Sequence, residues 1–214
     1  MNQQTSLFDE KSVHEIAPGV VLLRSAAPTA DWMGEIDLIA AQAPFRHLVV
    51  PGGKTMSVAM TNCGALGWVS DASGYRYTRR DPMNEVAWPT LPDSFAQHAA
   101  QWAALGGFAG FVPDACLINR YQPGARMGLH QDRDEQDFDQ PIVSVSLGAS
   151  AVFLLGGLTR GAATQKLPLH NGDVLVWGGP ARLRFHGVQR LAGPIAPGGD
   201  GTGLRYNLTF RKAG

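Results

Sequence analysis

IVSVSLGASAVFLL, residues 142–155, consists of two short runs of apolar and small residues on either side of a glycine-containing break. Runs of this length that are rich in Val, Ile and Phe are typical of buried β-strands. Similar segments recur through the C-terminal half, and the predicted strands there are 115–121, 127–131, 142–147, 151–155, 165–169, 174–177, 185–189 and 206–210. Eight short strands in about 96 residues predict a double-sheet jelly roll, a double-stranded β-helix.

The N-terminal half adds helices to this β-rich region. Apolar residues at helical spacing predict helices over 30–43 and 92–105. Short apolar segments predict strands over 20–23, 45–50 and 56–61. The expected fold class is therefore mainly β with flanking helices, an α+β arrangement in which N-terminal helices support a jelly roll.

Other local signals concern turns and boundaries. Asn171-Gly172 lies between two predicted strands and is typical of a two-residue hairpin. Residues 193–203 are rich in Gly and Pro and are predicted to form a surface loop. Residues 1–19 are polar and are predicted to be a flexible leader, so that 20–214 would form a single domain.

Composition narrows the class of protein. The 18 Lys and Arg balance the 18 Asp and Glu, which disfavours a nucleic-acid binder that relies on bulk charge but leaves room for a local basic patch. Two cysteines are too few for a disulfide framework and are expected to be free buried thiols in a reducing compartment. Residues 1–19 lack the apolar core of a signal peptide, and no apolar run reaches the length of a membrane span, so neither element is expected. We therefore expect a cytoplasmic monomer without membrane contact.

The segment His130-Gln131-Asp132 is a candidate metal site. Side chains two apart on a strand point to the same face, so the imidazole and the carboxylate can converge. His186 is available as a third ligand. Two imidazoles and one carboxylate on one side of an ion leave positions open, as in non-haem Fe(II) oxygenases. A His–acid pair alone is more often an ordinary surface feature, so this interpretation depends on His186 and the jelly-roll context.

The last predicted strand carries two arginines on one face. Alternation in residues 205–211 groups Arg205, Asn207, Thr209 and Arg211 against three apolar side chains. Buried guanidinium groups require anions, and a dicarboxylate cosubstrate would supply them. Asn119 and Tyr121 lie on one face of an earlier strand and are candidates to complete the pocket. The alternative is an edge strand whose arginines face water.

The region 68–88 is predicted to be a functional loop or a ribbon. It interleaves aromatic and basic side chains, namely Trp68, Tyr75, Arg76, Tyr77, Arg79 and Arg80. Aromatic faces beside cations suit a stacked base flanked by phosphates. Asp134 and Arg160 are further candidates for substrate contact. The alternatives are a partly buried aromatic cluster and exposed charges without function.

Together these segments closely resemble those of the AlkB family. The matching segments are MSVAMTNCG at 56–64, DACLINRY at 114–121, HQD at 130–132, VLVWGG at 174–179 and RYNLTFR at 205–211. The likeness extends from about residue 45 to residue 213. AlkB proteins are Fe(II)- and 2-oxoglutarate-dependent dioxygenases that remove alkyl groups from damaged bases.

The resemblance implies a role for each candidate residue. The implied iron ligands are His130, Asp132 and His186. The implied 2-oxoglutarate contacts are Asn119, Tyr121, Arg205, Asn207 and Arg211. The implied nucleotide contacts are Trp68, Tyr75, Arg76, Tyr77, Asp134 and Arg160. Trp68 would stack on a flipped base opposite His130, within a nucleotide-recognition lid over about 45–90, and the jelly-roll core would span about 115–214.

The implied activity is repair of DNA, and of RNA in a wider interpretation. The enzyme would use Fe(II), 2-oxoglutarate and O2 to demethylate bases such as 1-methyladenine and 3-methylcytosine in single- or double-stranded nucleic acid. Succinate, CO2 and formaldehyde would be released. Two alternatives are a 2-oxoglutarate-dependent hydroxylase of a protein or small molecule and a non-catalytic jelly-roll binding module.

Overall fold

The computed structural model of the chain describes residues 13–192 and 202–214. Most of the predicted loop over 193–203 lies outside these residues, as do the first twelve residues of the predicted leader. The described part contains two α-helices, α1 (Thr29–Gln42) and α2 (Asp93–Leu105). Its strands are β1 Val13–Ala17, β2 Val20–Leu23, β3 Arg46–Val49, β4 Thr55–Gly64, β5 Gly67–Asp71, β6 Gly74–Thr78, β7 Ala115–Tyr121, β8 Met127–His130, β9 Ile142–Gly148, β10 Ala151–Leu155, β11 Gln165–Leu169, β12 Val174–Trp177, β13 His186–Val188 and β14 Arg205–Arg211.

These strands form two large antiparallel sheets and a ribbon. The larger sheet has the order β1-β2-β12-β9-β14-β7-β4-β3, and the smaller has the order β11-β10-β13-β8. Strands β5 and β6 pair only with each other. The predicted jelly roll with flanking helices is confirmed, and all eight strands predicted after residue 115 are present.

Two apolar layers position the site. On one face of the larger sheet, Trp32 of α1 and Phe95 of α2 pack together at a ring separation of 4.1 Å. They belong to a core that includes Leu208 and Phe210 of β14. A second core lies between the two sheets and includes Tyr121 and Phe153. The polar residues of β14 face this inner space, so the alternation predicted for this strand is confirmed.

The prediction of a flexible leader over residues 1–19 is wrong for its last part. Strand β1 pairs antiparallel with β2, and Val13 lies opposite Leu23. The strand contains His14 and Glu15, both exposed, because it lies at the edge of the larger sheet. Polar residues at an edge give a weak sequence signal for a strand.

The hairpin predicted at Asn171-Gly172 is also wrong. Strand β11 pairs with β10 in the smaller sheet, whereas β12 pairs with β2 and β9 in the larger one. The dipeptide instead forms a corner between sheets, where Gly172 has a φ of 85° and its N–H donates to the Ser146 carbonyl at 2.8 Å. The buried Asp173 carboxylate accepts the backbone N–H of Ser25 at 3.1 Å. Tertiary contacts therefore hold this turn rather than cross-strand pairing.

The region predicted as a lid divides into two parts. Strands β3 and β4 belong to the larger sheet, since β4 pairs with β7 along six residue pairs. The separate unit is the β5–β6 ribbon, in which Trp68 lies opposite Tyr77 and Ser70 lies opposite Tyr75. The separate unit is therefore narrower than the interval of about 45–90 that was predicted to form a lid.

Candidate active site

A cavity of about 1430 Å³ opens between the two large sheets. Strands β7 and β14 form one wall, β8 and β13 form the opposite wall, and the β5–β6 ribbon lies at the mouth. The polar lining of the β7–β14 wall follows from the pairing of these two antiparallel strands. Asn207 lies opposite Asn119, and Arg205 lies opposite Tyr121, so their alternating side chains point into the same space.

Three potential metal ligands meet at one end of this cavity. His130 ends β8 and His186 begins β13, and the two residues are paired across these strands. Oδ1 of Asp132 lies 3.6 Å from Nε2 of His130 and 3.8 Å from Nε2 of His186. All three ligand atoms lie within 4.8 Å of one another. Among the residues that the structure describes, no other group of three such side chains converges in this way.

Backbone carbonyls orient both imidazoles toward this centre. Nδ1 of His130 lies 2.9 Å from the carbonyl oxygen of Gly128, and Nδ1 of His186 lies 3.1 Å from that of Arg184. A carbonyl can only accept, so each Nδ1 carries the proton and each Nε2 keeps a lone pair. Burial, and then the nearby His130, lower the pKa of His186 to about 4. The ring is therefore neutral near pH 7, the form that binds a metal.

Arg211 holds the carboxylate of this group. Its Nη2 and Nε donate to Oδ2 of Asp132 at 2.7 and 3.1 Å, which leaves Oδ1 facing the imidazoles. Burial acts to raise the pKa of Asp132, but Arg211 and the two imidazoles outweigh burial and lower it below its usual range. The site thus presents two imidazole nitrogens and one ionised carboxylate oxygen on one side. This donor set fits a ferrous ion with open positions for further ligands.

The five residues predicted to contact a dicarboxylate all border the cavity. Arg205 is 1% exposed, and its Nη2 donates to Oγ of Ser146 at 3.0 Å. Among the described residues, its Nε and Nη1 have no partner, and neither has Oδ1 of Asn119. A buried guanidinium without a facing carboxylate is costly unless a ligand supplies the anion. This unpaired cation fits an acidic cosubstrate.

The neighbours of Arg205 differ in whether their hydrogen-bonding groups are free to contact a ligand. Burial raises the pKa of Tyr121 to about 12, so its hydroxyl stays protonated and can donate. Asn207 is already engaged, since its Nδ2 donates to Oγ of Ser144 at 2.7 Å and to the carbonyl of Val145 at 3.1 Å. Asn207 therefore stabilises the wall of the cavity in addition to being a candidate ligand contact.

At the mouth, the structure brings together four of the predicted nucleotide contacts. The rings of Trp68 and Tyr75 are stacked, with centroids 5.6 Å apart and an angle of 12° between planes. Nη1 of Arg160 donates to the carbonyl of Leu129 at 2.9 Å. These three residues and Asp134 border the same cavity as the metal ligands. The mouth therefore combines aromatic faces with charges of both signs.

The other two predicted nucleotide contacts, Arg76 and Tyr77, are each engaged by a neighbouring carboxylate. Arg76 pairs with Asp71 on the ribbon itself, at 2.7 Å. The hydroxyl of Tyr77 donates to Oε1 of Glu135 at 2.6 Å, beneath the ribbon. Burial raises the pKa of Tyr77 well above its usual value. Neither residue borders the cavity. Tyr77 nevertheless lies on the same face of the ribbon as Trp68, the residue opposite it, so a contact of Arg76 or Tyr77 with nucleotide stays a prediction.

Sequence reasoning missed two charged residues next to the metal ligands. Glu135 and Arg182 are both buried, and their Oε2 and Nη2 atoms form an ion pair at 2.9 Å. Nη1 of Arg182 also donates to the backbone carbonyl of Asp132 at 2.9 Å. The only local signal was the position of Glu135 three residues after Asp132. Nothing near Arg182 in the sequence indicates its partner.

Comparison with known proteins agrees with this geometry. Residues 16–211 match the 2OG-Fe(II) oxygenase superfamily. The chain belongs to this superfamily, and within it to the AlkB family. It is 55% identical to the alpha-ketoglutarate-dependent dioxygenase AlkB of Salmonella typhimurium over 92% of each chain. It is 50% identical to the Escherichia coli protein of that name, over 93% of this chain and 92% of the relative.

A solved structure shares the fold as well. The structure of OsALKBH1 superposes with a TM-score of 0.80 at 28% identity, covering 94% of this chain and 99% of that one. Family membership identifies the chain as an Fe(II)- and 2-oxoglutarate-dependent dioxygenase. His130, Asp132 and His186 are placed where they could hold the metal ion that this superfamily uses. Neither helix of the described residues is long and apolar enough to cross a membrane.

Proposed function

We propose that this protein is a nucleic-acid repair dioxygenase that removes alkyl groups from bases such as 1-methyladenine and 3-methylcytosine. The observation that carries this proposal is the position of Trp68, Tyr75 and Asp134 at the mouth of the cavity that also contains the metal ligands. The AlkB relatives support it at 50% and 55% identity. DNA is the expected substrate, and RNA is included because the chemistry resides in the base.

The chemistry of the lesion matches these residues. A methyl group on N1 of adenine or N3 of cytosine makes the ring cationic near neutral pH. Aromatic faces and a nearby carboxylate both favour a cationic ring over a neutral one. Such a lesion cannot pair normally, so extruding it from a duplex costs less than extruding an undamaged base. Trp68 and Asp134 therefore offer a basis for selecting damaged bases.

The chain's own residues hold and orient the reactants. His130, Asp132 and His186 would hold the iron, and Arg205 would pair with the distal carboxylate of 2-oxoglutarate. When bound, iron with 2-oxoglutarate and O2 supplies the oxidation of the inert N-methyl group, which no side chain can perform. The buried walls exclude water from the reaction. Overall, methylated base, 2-oxoglutarate and O2 yield restored base, formaldehyde, succinate and CO2.

Basic side chains at the cavity support binding of a nucleic-acid backbone despite the net charge of zero. Those bordering the cavity include Lys54, Arg126, Arg133, Arg160 and Arg190. A local cluster of this kind attracts phosphates without a basic protein overall. We further propose that the enzyme acts as a monomer in the cytoplasm, on single- or double-stranded substrate.

Mass spectrometry of a panel of methylated oligonucleotides tests the proposal, after incubation with Fe(II), 2-oxoglutarate and O2. We expect loss of the methyl group from 1-methyladenine and 3-methylcytosine with stoichiometric formaldehyde. His130→Ala and Asp132→Ala should release none while remaining folded by circular dichroism. If the enzyme consumed 2-oxoglutarate with a protein or a small molecule as substrate but repaired no base, the hydroxylase alternative would replace this proposal. Absence of a visible charge-transfer band with Fe(II) and 2-oxoglutarate under anaerobic conditions would indicate a binding module.

A further inference from the structure

Glu135 occupies an unusual position between the ribbon and the metal site. Its side chain is almost fully buried, and both carboxylate oxygens are engaged. Oε1 accepts from the Tyr77 hydroxyl at 2.6 Å and lies 3.3 Å from Nε of Arg211. Oε2 accepts from Nη2 of Arg182 at 2.9 Å. One buried carboxylate thus contacts a ribbon residue and two guanidinium groups.

Buried side chains of opposite charge are paired around Glu135. The two buried arginines, Arg182 and Arg211, face two buried carboxylates, Glu135 and Asp132. A buried ion left without its partner is strongly unfavourable. Without the Glu135 carboxylate, Arg182 would keep hydrogen bonds, among the described residues, only to the backbone carbonyls of Gln140 and Asp132. Arg211 would keep Asp132, the carboxylate that the metal requires, as its carboxylate partner.

The geometry shows how Glu135 affects the metal ligand. Nε of Arg211 lies between two carboxylates, 3.1 Å from Oδ2 of Asp132 and 3.3 Å from Oε1 of Glu135. Glu135 therefore fixes the guanidinium on the side of Oδ2. This leaves Oδ1 of Asp132 facing the imidazoles. The orientation of the metal-binding carboxylate depends on a residue that is not a ligand.

The same residue connects this centre to the ribbon. Tyr77 of β6 lies opposite Trp68 of β5, so the two residues move with one ribbon. Three consecutive contacts then lead from Tyr77 to Glu135, from Glu135 to Arg211, and from Arg211 to Asp132. A change in the position of the ribbon therefore changes the contacts of the metal-binding carboxylate. By thermodynamic linkage, occupation of the metal site also affects the ribbon.

We propose that Glu135 is a positioning residue that holds Arg211 against Asp132 and couples the position of the β5–β6 ribbon to the metal and 2-oxoglutarate site. The coupling to nucleic acid rests on the proposed function, because it assumes that substrate binds at the ribbon. The effect on the metal site does not, since it follows from the contacts among Glu135, Arg211 and Asp132.

Two variants separate the parts of this proposal. Glu135→Gln keeps the size of the side chain but removes its charge, and Tyr77→Phe removes only the hydroxyl that reaches Glu135. Glu15→Gln is a matched charge control, because Glu15 is exposed on the edge strand β1. The anaerobic visible band of the Fe(II)–2-oxoglutarate complex is titrated for each protein, with and without a 3-methylcytosine oligonucleotide. Thermal unfolding of the metal-free proteins reports structural damage separately.

We expect Glu135→Gln to shift the band and to weaken 2-oxoglutarate binding by about tenfold, since a hydrogen-bonded charge is lost. Without oligonucleotide, Tyr77→Phe should show the same visible band as the wild type. Adding the oligonucleotide should shift the band of the wild type but not that of Tyr77→Phe. Adding Tyr77→Phe to Glu135→Gln should have no further effect on the band. Glu15→Gln should behave as wild type throughout.

Several results would overturn the proposal. A folded Glu135→Gln protein with the wild-type band and affinity would show that the residue serves only stability. A Tyr77→Phe protein that responds to oligonucleotide as wild type does would remove the coupling, and this test stands even if Glu135→Gln fails to fold. A wild-type protein that releases no formaldehyde from any methylated oligonucleotide would instead contradict the proposed function, leaving the metal-site result to decide on positioning.

Discussion

Nε1 of Trp68 donates a hydrogen bond to Oδ2 of Asp134 at 2.7 Å, which joins the ribbon to the segment that follows the metal-binding motif. Trp68 lies 66 residues before Asp134 in the chain. The bond fixes the indole plane relative to the metal ligands, and Tyr75 stacks against the same indole. One hydrogen bond therefore joins the indole on which a base would stack to the carboxylate that would favour a cationic base.

Replacing Asp134 should change the preference among lesions more than the chemistry. Asp134→Asn keeps an oxygen that can accept from Trp68 but removes the negative charge. We expect kcat/KM for cationic 3-methylcytosine to fall by about tenfold, while neutral 3-methylthymine changes little. Product analysis by mass spectrometry measures both values. Asp139→Asn, at an exposed site nearby, is the control, and an equal loss on both lesions would contradict charge selection.

Replacing Trp68 should weaken substrate binding and leave the metal site intact. Stacking of one base on an aromatic side chain contributes about 1–3 kcal/mol, so Trp68→Ala should reduce affinity for a methylated oligonucleotide by about tenfold or more. Trp68→Phe should recover part of this loss. Fluorescence anisotropy measures affinity, and the anaerobic Fe(II)–2-oxoglutarate band should remain. Unchanged affinity in Trp68→Ala would exclude the stacking role.

Replacing Arg205 should stabilise the empty protein and abolish cosubstrate binding. Arg205 is buried, and two of its guanidinium nitrogens have no partner among the described residues. Arg205→Met should therefore keep or raise the free energy of unfolding without ligand, by up to about 2 kcal/mol. Affinity for 2-oxoglutarate should fall by about a hundredfold. Thermal unfolding with and without 2-oxoglutarate and Mn²⁺ measures both effects.

Arg205→Lys provides the comparison, because it keeps the charge but loses the planar paired donors. It should retain more 2-oxoglutarate affinity than Arg205→Met and less than the wild type. If Arg205→Met were still stabilised by 2-oxoglutarate as strongly as the wild type, the carboxylate would bind elsewhere in the cavity.

The stability of the metal-free protein should depend on His186 in mildly acidic solution. Its pKa is about 4 in the folded protein, mainly because of burial, against an ordinary value of 6.5. Between these values the unfolded chain binds a proton that the folded protein does not, so stability is lost as pH falls from about 6.5 to about 4. The difference in pKa corresponds to about 3 kcal/mol.

Urea unfolding at several pH values in the presence of a chelator measures this dependence. His186→Gln should show a flatter profile across this window, whereas His14→Gln, at an exposed edge position, should follow the wild type. Identical slopes for His186→Gln and the wild type would show that the imidazole does not titrate in this way.

Local sequence patterns predicted most of the fold. The alternation in Arg205–Arg211 predicted which side chains of β14 face inward, because the pleat of a strand alternates whatever its neighbours are. The same reasoning failed at Asn171-Gly172, where a hairpin signal marks a corner between two sheets. A dipeptide specifies a tight turn but carries no information about which strands pair.

The site likewise contains residues that the sequence predicted and residues that it did not. The types and spacing of His130, Asp132 and His186 predicted the metal ligands. Strand alternation, together with the family resemblance, predicted Arg205. The inward turn of Tyr77 was not predictable, because its partner Glu135 lies 58 residues away in the chain.

The amino-acid sequence thus specified the jelly roll, the ligand types and the family, since these follow from residue chemistry and from periodicity over a few neighbours. Folding in three dimensions set which charges pair beneath the metal ligands and which face of the ribbon reaches the cavity. Arg182 and Glu135, 47 residues apart in sequence, meet because buried charges must find partners wherever packing brings them together.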